Sequence, residues 1–319
     1  MSVAVLGAGA FGTALAISLA RSRPGVTLWG RDENSIKEME TSRENKAYLP
    51  GITLPDALSF TADLGKVGDA ETVLLALPAQ RLREFLTANA AYLDGKTLVV
   101  CCKGIDLETG IGPSALIASA CPAARVAILT GPSFAVDIAQ GLPTALTLAV
   151  DGSAKELQET LSTANIRLYS TTDRLGAELG GAMKNVMAIA CGAAIGAGLG
   201  ESARAALMTR GFAEMRRFAS RRGAREETLV GLSGFGDLIL TCTSTKSRNF
   251  TAGLALGAGA PLPDGKTVEG IPTAHALVAA SSQDGFDMPI STAVSALVTG
   301  KCSVSDALED LLSRPLKEE

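Results

Sequence analysis

The chain has 319 residues, about twice the common size of a single domain, and this length predicts two domains that each bury a core. Hydrophobic residues make up 47% and charged residues 19% of the chain, a balance that excludes a disordered protein. The net charge of −4 includes no basic block, which argues against nucleic acid or an anionic membrane surface as partners. With one histidine, His275, the chain lacks a histidine pair for a metal site, so we expect no metal and interpret this imidazole as structural.

Two uncharged stretches, Val3–Ala20 and Val186–Leu199, could be mistaken for a signal peptide or a membrane span. No basic residue precedes the first, and glycines interrupt it; the second is too short to cross a bilayer and is rich in Gly and Ala. We therefore expect no membrane insertion. The six cysteines do not have the spacing of metal ligands, and they fit the reducing conditions of the cytoplasm.

Short β-branched or leucine-rich runs alternate with helix-compatible stretches in the first half of the chain, a pattern that predicts parallel βαβ units. After about residue 170 helical periodicity replaces it, as in Glu201–Arg222. We predict an α/β fold, with an N-terminal Rossmann-like parallel-sheet domain over residues 1–172 and an all-helical C-terminal domain over residues 173–319. The predicted strands are Ser2–Leu6, Val26–Trp29, Thr72–Leu77, Thr97–Cys102, Arg125–Thr130, Thr144–Val150 and Ile166–Ser170.

A glycine-rich segment, Gly7-Ala8-Gly9-Ala10-Phe11-Gly12, lies between the first predicted strand and the helix-compatible run Thr13–Ala20. This is the context of a dinucleotide-binding fingerprint, and the alternative is a merely glycine-rich turn. In the fingerprint Gly7 permits the tight turn, Gly9 lets the backbone approach the pyrophosphate, and Gly12 lets the helix pack on the strand. The helix N-terminus attracts the negative charge. We therefore predict that this segment binds a nicotinamide dinucleotide.

The end of the second predicted strand bears on which nicotinamide cofactor is bound. The chain there is Trp29-Gly30-Arg31-Asp32. Gly30 leaves room for a 2′-phosphate and the Arg31 guanidinium can hold it, which favours NADP(H). The alternative is that Arg31 only solvates a loop and that Asp32 binds the ribose of NAD(H).

Lys184 is the only charged residue between Leu179 and Gly200, an otherwise apolar stretch that predicts a buried helix. Burial lowers the pKa of a lysine toward neutrality, which makes it a workable proton donor and acceptor. We interpret Lys184 as the acid–base group, and the alternative is that its side chain reaches solvent at a helix edge.

Further polar residues follow predicted strands or open a helix. Lys103 and Gly131-Pro132-Ser133 come at the carboxyl ends of two strands, where open parallel sheets bind ligands, although a lysine in that place is commonly a surface residue. Ser247-Arg248-Asn249 predicts a helix start at which Arg248 meets a phosphate; the alternative is an ordinary N-cap.

Taken together in order, these motifs resemble the NAD(P)-dependent glycerol-3-phosphate dehydrogenases, and the resemblance covers essentially the whole chain. The residues that carry it are Gly7–Ala14 (GAGAFGTA), Leu28–Asp32 (LWGRD), Lys103-Gly104, Gly131–Ala135 (GPSFA), Gly180–Val186 (GGAMKNV), Gly236–Thr241 (GDLILT), Ser247–Asn249 (SRN) and Val268–Gly270 (VEG).

The resemblance implies roles for individual residues. Lys184 is the general acid–base residue, with Lys103 and Asp237 in the catalytic group. The substrate-binding residues it implies are Lys103, Gly131, Ser133, Lys184, Asn185, Asp237, Thr241, Ser247, Arg248 and Asn249. The cofactor contacts are Ala10, Phe11, Arg31, Lys103, Ala135, Arg248, Thr267 and Glu269, beside Gly7, Gly9 and Gly12 of the fingerprint.

The implied function is an oxidoreductase that interconverts dihydroxyacetone phosphate, a small phosphorylated triose, and sn-glycerol 3-phosphate. The resemblance also implies a cytoplasmic enzyme that supplies glycerol 3-phosphate for phospholipid synthesis, and we expect a homodimer. Two alternatives remain: a related Rossmann-plus-helical reductase of a β-hydroxyacid or ketopantoate, and a redox sensor that binds NAD(P)H without turnover. The Ser-Arg-Asn segment argues against the first, since a carboxylate substrate does not need it.

Overall fold

The structure is a computed structural model that describes residues 2–263, 267–283 and 285–313. The chain forms two compact units: unit 1 comprises Met1–Lys103 and Ile111–Glu178, and unit 2 comprises Gly104–Gly110 and Leu179–Glu319. The chain therefore passes between the units three times. The domain boundary expected between residues 172 and 173 stays a prediction.

Unit 1 is built on one eight-stranded sheet with the order β3-β2-β1-β4-β5-β6-β7-β8. The strands are β1 Val3–Leu6, β2 Val26–Trp29, β3 Leu58–Thr61, β4 Thr72–Leu75, β5 Thr97–Val100, β6 Arg125–Thr130, β7 Thr144–Val150 and β8 Ile166–Thr171. The helices of this unit are α1 Ala10–Ser22, α2 Glu33–Ser42, α3 Ala79–Leu93, α4 Pro113–Ala120, α5 Ala135–Ala139 and α6 Lys155–Leu161, and a 3₁₀ turn spans Leu64–Val67. The Rossmann-like architecture predicted from the sequence is confirmed.

The sheet differs from the prediction in one additional strand. β3 pairs with β2 in parallel, with Val26 opposite Leu58 and Trp29 opposite Thr61. The sequence of β3 is Leu-Ser-Phe-Thr, and only its first and last residues are buried. With two hydroxyl side chains among its four residues, β3 does not stand out as an apolar run, and for this reason the strand was not predicted.

The prediction of parallel pairing was wrong for one pair of strands. β7 pairs with β6 in antiparallel fashion, with Leu129 opposite Leu148, while β8 is parallel to β7. The connection between β6 and β7 contains only α5, a helix of five residues. At about 1.5 Å per residue this helix is roughly 8 Å long, which is too short to return along a strand of about 20 Å and start a parallel one. The chain therefore turns back beside β6.

Both faces of the sheet are covered at its centre, which explains why the central strands β1, β4 and β5 are continuous apolar runs. Successive side chains of β1 alternate between two cores: Val3 and Val5 pack with the buried face of α1, while Ala4 and Leu6 join a cluster on the other face. This alternation follows from the two-residue period of a strand.

In unit 2 the described residues form helices and turns and no strand. Besides α7 Arg174–Gly196, which begins in unit 1, its helices are α8 Gly200–Arg221, α9 Glu226–Val230, α10 Asp237–Cys242, α11 Arg248–Gly257, α12 Gly270–Gln283, α13 Pro289–Val298 and α14 Val304–Leu312, with a π-type turn at Leu232–Gly236. In the described ranges, α7 is the one helix long and apolar enough to cross a membrane, and most of it is buried inside the protein, as in a core helix.

Candidate functional site

The glycine loop of unit 1 makes the sharp turn that the sequence predicted. The Gly7 amide donates to the Trp29 carbonyl at 2.9 Å, and Gly7 has a φ of 118°, which strongly favours glycine. A Cβ on Gly7 would lie 2.5 Å from the Ala76 carbonyl oxygen, and one on Gly12 would lie 2.0 Å from the Gly7 carbonyl oxygen. The loop is therefore packed against the end of β4 and against itself, and neither position has room for a side chain.

Gly9 differs from these two glycines. It is the N-cap of α1, and a Cβ built on it would meet no protein atom within 4 Å. The space in front of the helix N-terminus is thus open on the side where Gly9 lacks a side chain, and the first turn of α1 holds no acidic residue. An open cradle at a helix N-terminus fits a pyrophosphate, so the residues present fit a dinucleotide.

The end of β2 forms the next part of the same edge. Gly30 packs closely on the glycine loop, since a Cβ there would lie 3.0 Å from both the Ala8 Cβ and the Ile36 Cδ1. The Asp32 carboxylate caps α2 by accepting from the Ser35 amide at 2.6 Å, and hydrogen bonds from the side chain and the amide of Ser35 lower the pKa of Asp32. The side chain of Arg31 is exposed. Asp32 is therefore already engaged as a cap, while Arg31 faces solvent.

Four more predicted residues lie where β5 and β6 end. The Lys103 Nζ donates to the Gly131 carbonyl at 3.4 Å, and the Ser133 hydroxyl donates to the same oxygen at 3.1 Å. Ala135 is the first residue of α5. Because β1, β2, β4, β5 and β6 are parallel, their carboxyl ends meet at one edge of the sheet, and the structure brings the predicted residues of unit 1 to that edge.

In unit 2 the predicted catalytic residues Lys184 and Asp237 form a buried ion pair. The Lys184 Nζ donates to the Asp237 Oδ1 at 2.8 Å and to the Thr241 Oγ1 at 2.6 Å, and Thr241 also donates to Asp237 at 3.3 Å. Lys184 is 7% exposed and Asp237 is 0% exposed. The alternative that Lys184 reaches solvent is wrong. The Asp237 carboxylate and the Thr241 hydroxyl thus hold the Lys184 nitrogen in a defined position.

Close packing of α7 against the π-type turn brings these three residues together. Gly180, one helical turn before Lys184, allows the turn to approach, because a Cβ there would lie 2.7 Å from the Ser233 carbonyl oxygen. The turn leads directly into α10, which begins at Asp237 and carries Thr241 one turn later. Asp237 and Thr241 are four residues apart and therefore face Lys184 from the same side of α10.

A second polar cluster lies beside the ion pair in the chain. The Asn249 Nδ2 donates to the Asn185 Oδ1 at 2.9 Å, and the Asn249 Oδ1 accepts from the Gly270 amide at 2.9 Å. The close crossing of α7 and α11 allows these contacts, since a Cβ on Gly192 would lie 2.1 Å from the Phe250 carbonyl oxygen and one on Gly253 would lie 2.2 Å from the Ile189 carbonyl oxygen. Asn185 and Asn249 are thereby fixed next to the predicted catalytic and phosphate-binding residues.

The start of α11 is an N-cap, as one reading of the sequence proposed. The Ser247 hydroxyl accepts from the Phe250 amide at 3.2 Å, while the Asn249 side chain donates to Asn185. Arg248 is exposed at the first helical position. Capping and phosphate binding are compatible, because Ser247 satisfies one amide of the helix and the Arg248 side chain lies in solvent beside it.

Glu269 stands just before α12 and has an unusual environment. Its Oε2 is buried without a hydrogen-bond partner, and burial raises the pKa of this carboxyl, an effect that the Arg248 charge opposes. A buried oxygen without a hydrogen-bond partner could accept a hydrogen bond from a ligand, such as one from the carboxamide of a nicotinamide. Thr267, also predicted to contact the cofactor, is exposed.

The sequence also offers the cysteines and the histidine as possible ligands or reactive groups. The six cysteines are free thiols, and the buried Cys242 has its pKa raised well above the usual range by a hydrogen bond with Cys191 and by burial, which leaves it a poor nucleophile. The His275 Nδ1 lies 2.8 Å from the Ser295 hydroxyl, as expected of a structural imidazole. Groups of three or more metal-ligating side chains are absent from residues 2–263, 267–283 and 285–313.

Sequence reasoning missed two residues around the site. Asn45 hydrogen-bonds the glycine loop, and the Gly270 amide completes the asparagine cluster. A lone asparagine in a polar connection is indistinguishable from a turn residue, so nothing in the sequence singles out Asn45. Gly270 was part of the quoted Val-Glu-Gly motif, but its amide contact depends on a tertiary approach that spacing does not reveal.

Comparisons with known proteins agree with one another. The chain matches the family model described as NAD-dependent glycerol-3-phosphate dehydrogenase N-terminus over residues 2–156 and the one described as its C-terminus over residues 173–309. It is 60% identical to the glycerol-3-phosphate dehydrogenase (NAD(P)+) of Ruegeria sp. (strain TM1040), with all of both chains covered. It is equally similar, at 60% identity with full coverage of both chains, to the enzyme of the same name from Paracoccus denitrificans (strain Pd 1222).

Solved structures give the same picture. The crystal structure of glycerol-3-phosphate dehydrogenase from Coxiella burnetii is 34% identical, covers 98% of this chain and 99% of its own, and has a TM-score of 0.92. A ketopantoate reductase from Ralstonia eutropha JMP134 has a TM-score of 0.64 at 16% identity, with 97% of this chain and 100% of its own covered, a likeness of fold alone.

Proposed function

Because the chain belongs to the NAD-dependent glycerol-3-phosphate dehydrogenase family, we propose that it interconverts dihydroxyacetone phosphate and sn-glycerol 3-phosphate, with Lys184 as the acid–base group. The observation that carries the assignment of Lys184 is its buried ion pair: an ammonium that is 7% exposed and bonded to Asp237 and Thr241. A lysine held in this way is oriented for proton transfer rather than for solubility.

The proton moves between the Lys184 Nζ and the oxygen on C2 of the substrate. In the reducing direction the ammonium donates to the alkoxide that forms at this oxygen, and in the oxidising direction the amine accepts the hydroxyl proton. Asp237 stabilises the charged form, and Thr241 fixes the position of the nitrogen, so that the reacting oxygen meets a proton donor of defined geometry. When bound, the nicotinamide supplies the hydride for ketone reduction and accepts it in the reverse direction.

The substrate phosphate is assigned to the start of α11. Arg248 is exposed at the first helical position and offers a guanidinium that can bind two phosphate oxygens. The dipole of α11 adds to this attraction. Ser247, Asn249 and Asn185 line the same region, and in unit 1 Lys103, Gly131 and Ser133 complete the proposed substrate-binding residues.

The cofactor is assigned to the cradle at the N-terminus of α1 and to the buried Glu269 oxygen. Gly7, Gly9 and Gly12 shape the cradle, while the amides of Ala10 and Phe11 at the start of α1 would bind the pyrophosphate. Lys103, Ala135, Arg248 and Thr267 are further proposed cofactor contacts. Glu269 would accept from the nicotinamide carboxamide through its unpartnered oxygen.

We also propose that NADPH is preferred over NADH. Two features at the end of β2 support this choice: Asp32 is engaged as the cap of α2, and the exposed Arg31 is available to pair with a 2′-phosphate. Replacing Arg31 with Ala should raise the Kd for NADPH about tenfold, the loss of a charge-assisted contact, and leave the Kd for NADH within about twofold. Equal losses for both cofactors would contradict the preference.

The activity is tested by mixing the full-length protein with dihydroxyacetone phosphate and following the oxidation of NADPH and of NADH at 340 nm. We expect oxidation that depends on the phosphate substrate, and faster with NADPH. Ketopantoate and a β-keto acid serve as controls for the alternative reductases, and neither should be turned over. NADPH binding without oxidation in the presence of any of these ketones would favour the redox sensor instead.

The proposed setting is the cytoplasm, where the enzyme supplies glycerol 3-phosphate for phospholipid synthesis and where the six free thiols stay reduced. A homodimer is the oligomeric state that we propose. Light scattering coupled to size-exclusion chromatography tests it directly: a mass near twice the chain mass of 32.6 kDa is expected, and a mass of a single chain would contradict it.

A further inference from the structure

Asn45 has a buried side-chain amide that contacts the glycine loop and α1. It lies in the connection between α2 and β3 and is 4% exposed. Its Nδ2 donates to the Ala8 carbonyl at 2.9 Å and to the Thr13 hydroxyl at 2.8 Å. Both protons of the amide nitrogen are therefore used on residues that flank the cradle at the N-terminus of α1.

The hydrogen bond from Asn45 to the Ala8 carbonyl fixes the direction of the Gly9 N–H, which has no partner within the helix. In a planar trans peptide the C=O and the N–H point in opposite directions, so holding the Ala8 carbonyl toward Asn45 directs the Gly9 N–H away from it. The first helical hydrogen bond runs from the Thr13 amide to the Gly9 carbonyl at 2.9 Å. The N–H groups before Thr13 therefore have no intrahelical acceptor, and the one on Gly9 is oriented by Asn45.

The connection that carries Asn45 is itself well anchored. The Leu49 amide donates to the Asn45 carbonyl at 2.8 Å, and the Leu54 amide donates to the Arg43 carbonyl at 2.8 Å. The side chains of Leu49 and Leu54 are buried in the same core as the inner face of α1. The amide of Asn45 is thus presented to the glycine loop from a packed turn and not from a mobile loop.

We propose that Asn45 is a positioning residue for the dinucleotide: it holds the peptide between Ala8 and Gly9 so that the loop amides are oriented toward the pyrophosphate before the ligand binds. The inference rests on the proposed function, which puts the pyrophosphate at this cradle. Preorganisation of this kind lowers the cost of binding without direct contact between Asn45 and the cofactor.

The test compares the binding of two ligands, one with a pyrophosphate and one without it. NADPH contains the pyrophosphate, and adenosine 2′-monophosphate lacks it but keeps the 2′-phosphate. For Asn45→Ala we expect the Kd of NADPH to rise about tenfold, because the loop would then have to be ordered when the ligand binds, and the Kd of adenosine 2′-monophosphate to stay within about twofold. Calorimetry measures both constants, and the KM for NADPH should rise more than the KM for dihydroxyacetone phosphate.

Two further variants control for the fold. Asn45→Asp keeps the volume of the side chain but turns an acceptor toward the Ala8 carbonyl, so it should weaken NADPH binding as much as Asn45→Ala does, and it replaces that variant if the alanine form does not fold. Tyr48→Ala changes an exposed side chain in the same turn and should bind both ligands like the unmodified protein.

The outcomes separate this inference from the proposed function. If the unmodified protein does not bind NADPH, the proposed function fails. If it binds NADPH and both Asn45 variants bind NADPH equally well, or lose affinity for both ligands to the same extent, the positioning role is overturned.

Discussion

Replacement of Glu178 with Gln should change the pH dependence of stability by an amount that follows from its surroundings. Glu178 is 7% exposed and its carboxylate accepts from the Ser114 amide at 2.8 Å and from the Ser114 hydroxyl at 3.0 Å, at the N-terminus of α4. Burial raises the pKa of Glu178 from 4.5 to about 6, and the hydrogen bonds from Ser114 oppose the rise. At about 1.4 kcal/mol per pKa unit, this corresponds to about 2 kcal/mol.

The direction follows from the raised pKa. The folded state binds the proton more tightly than the unfolded state, so the associated stability is present below pH 4.5 and is lost as the pH rises through 6. Glutamine cannot titrate, and its amide can still accept from the Ser114 N–H and donate to the Ser114 hydroxyl. The free energy of unfolding of the variant, relative to the unmodified protein, should therefore rise by about 1 kcal/mol between pH 5 and pH 7.5.

Urea denaturation at several pH values in this range measures the difference. Other buried carboxyls, such as Glu214, titrate in both proteins and cancel in the comparison. Glu40→Gln removes a carboxylate at an exposed position of α2 and is the matched control. A difference for Glu178→Gln that is constant with pH, or that falls as the pH rises, would contradict a raised pKa of Glu178.

Four other substitutions have distinct expected outcomes. Gly9→Ala should leave the melting temperature unchanged, since a Cβ there meets only open space, but it should weaken NADPH binding at least about tenfold in a calorimetric titration. Gly7→Ala should instead destabilise the fold. An unchanged Kd for NADPH in Gly9→Ala would contradict pyrophosphate binding at the cradle. Gly253→Ala should lower the free energy of unfolding by about 2–3 kcal/mol in urea titrations, because α7 and α11 must separate, and an unchanged value would contradict the close crossing. Arg248→Ala should raise the KM for dihydroxyacetone phosphate about a hundredfold in steady-state assays, while an unchanged KM would remove Arg248 from the phosphate site.

Much of unit 1 could be predicted from local sequence. Apolar runs such as Val26–Trp29 and Arg125–Thr130 are strands because they are buried on both faces, and the glycine loop is recognisable because backbone geometry demands glycine at Gly7. The antiparallel β7 was not predictable in this way, since its direction depends on how far a five-residue helix can reach. The length of the connection between β6 and β7, and not the composition of the strands, determines that the two strands are antiparallel.

The contacts within the site could not be predicted from the spacing of residues along the chain alone. Lys184 stands out in the sequence as a lone charge in an apolar helix, but its partners Asp237 and Thr241 lie 53 and 57 residues further on, and only the resemblance to a known family linked them in advance. The contacts of Asn45 depend on a side chain reaching across the fold, which neither periodicity nor motif encodes.

The role of Lys184 is tested most directly by single-turnover reduction of dihydroxyacetone phosphate with Lys184→Ala preloaded with NADPH. The rate of NADPH oxidation should fall at least about a hundredfold, because general acid catalysis contributes about this much. The Kd for NADPH should stay within about twofold of that of the unmodified protein. An oxidation rate within a few-fold of the unmodified protein would show that the proton comes from another group.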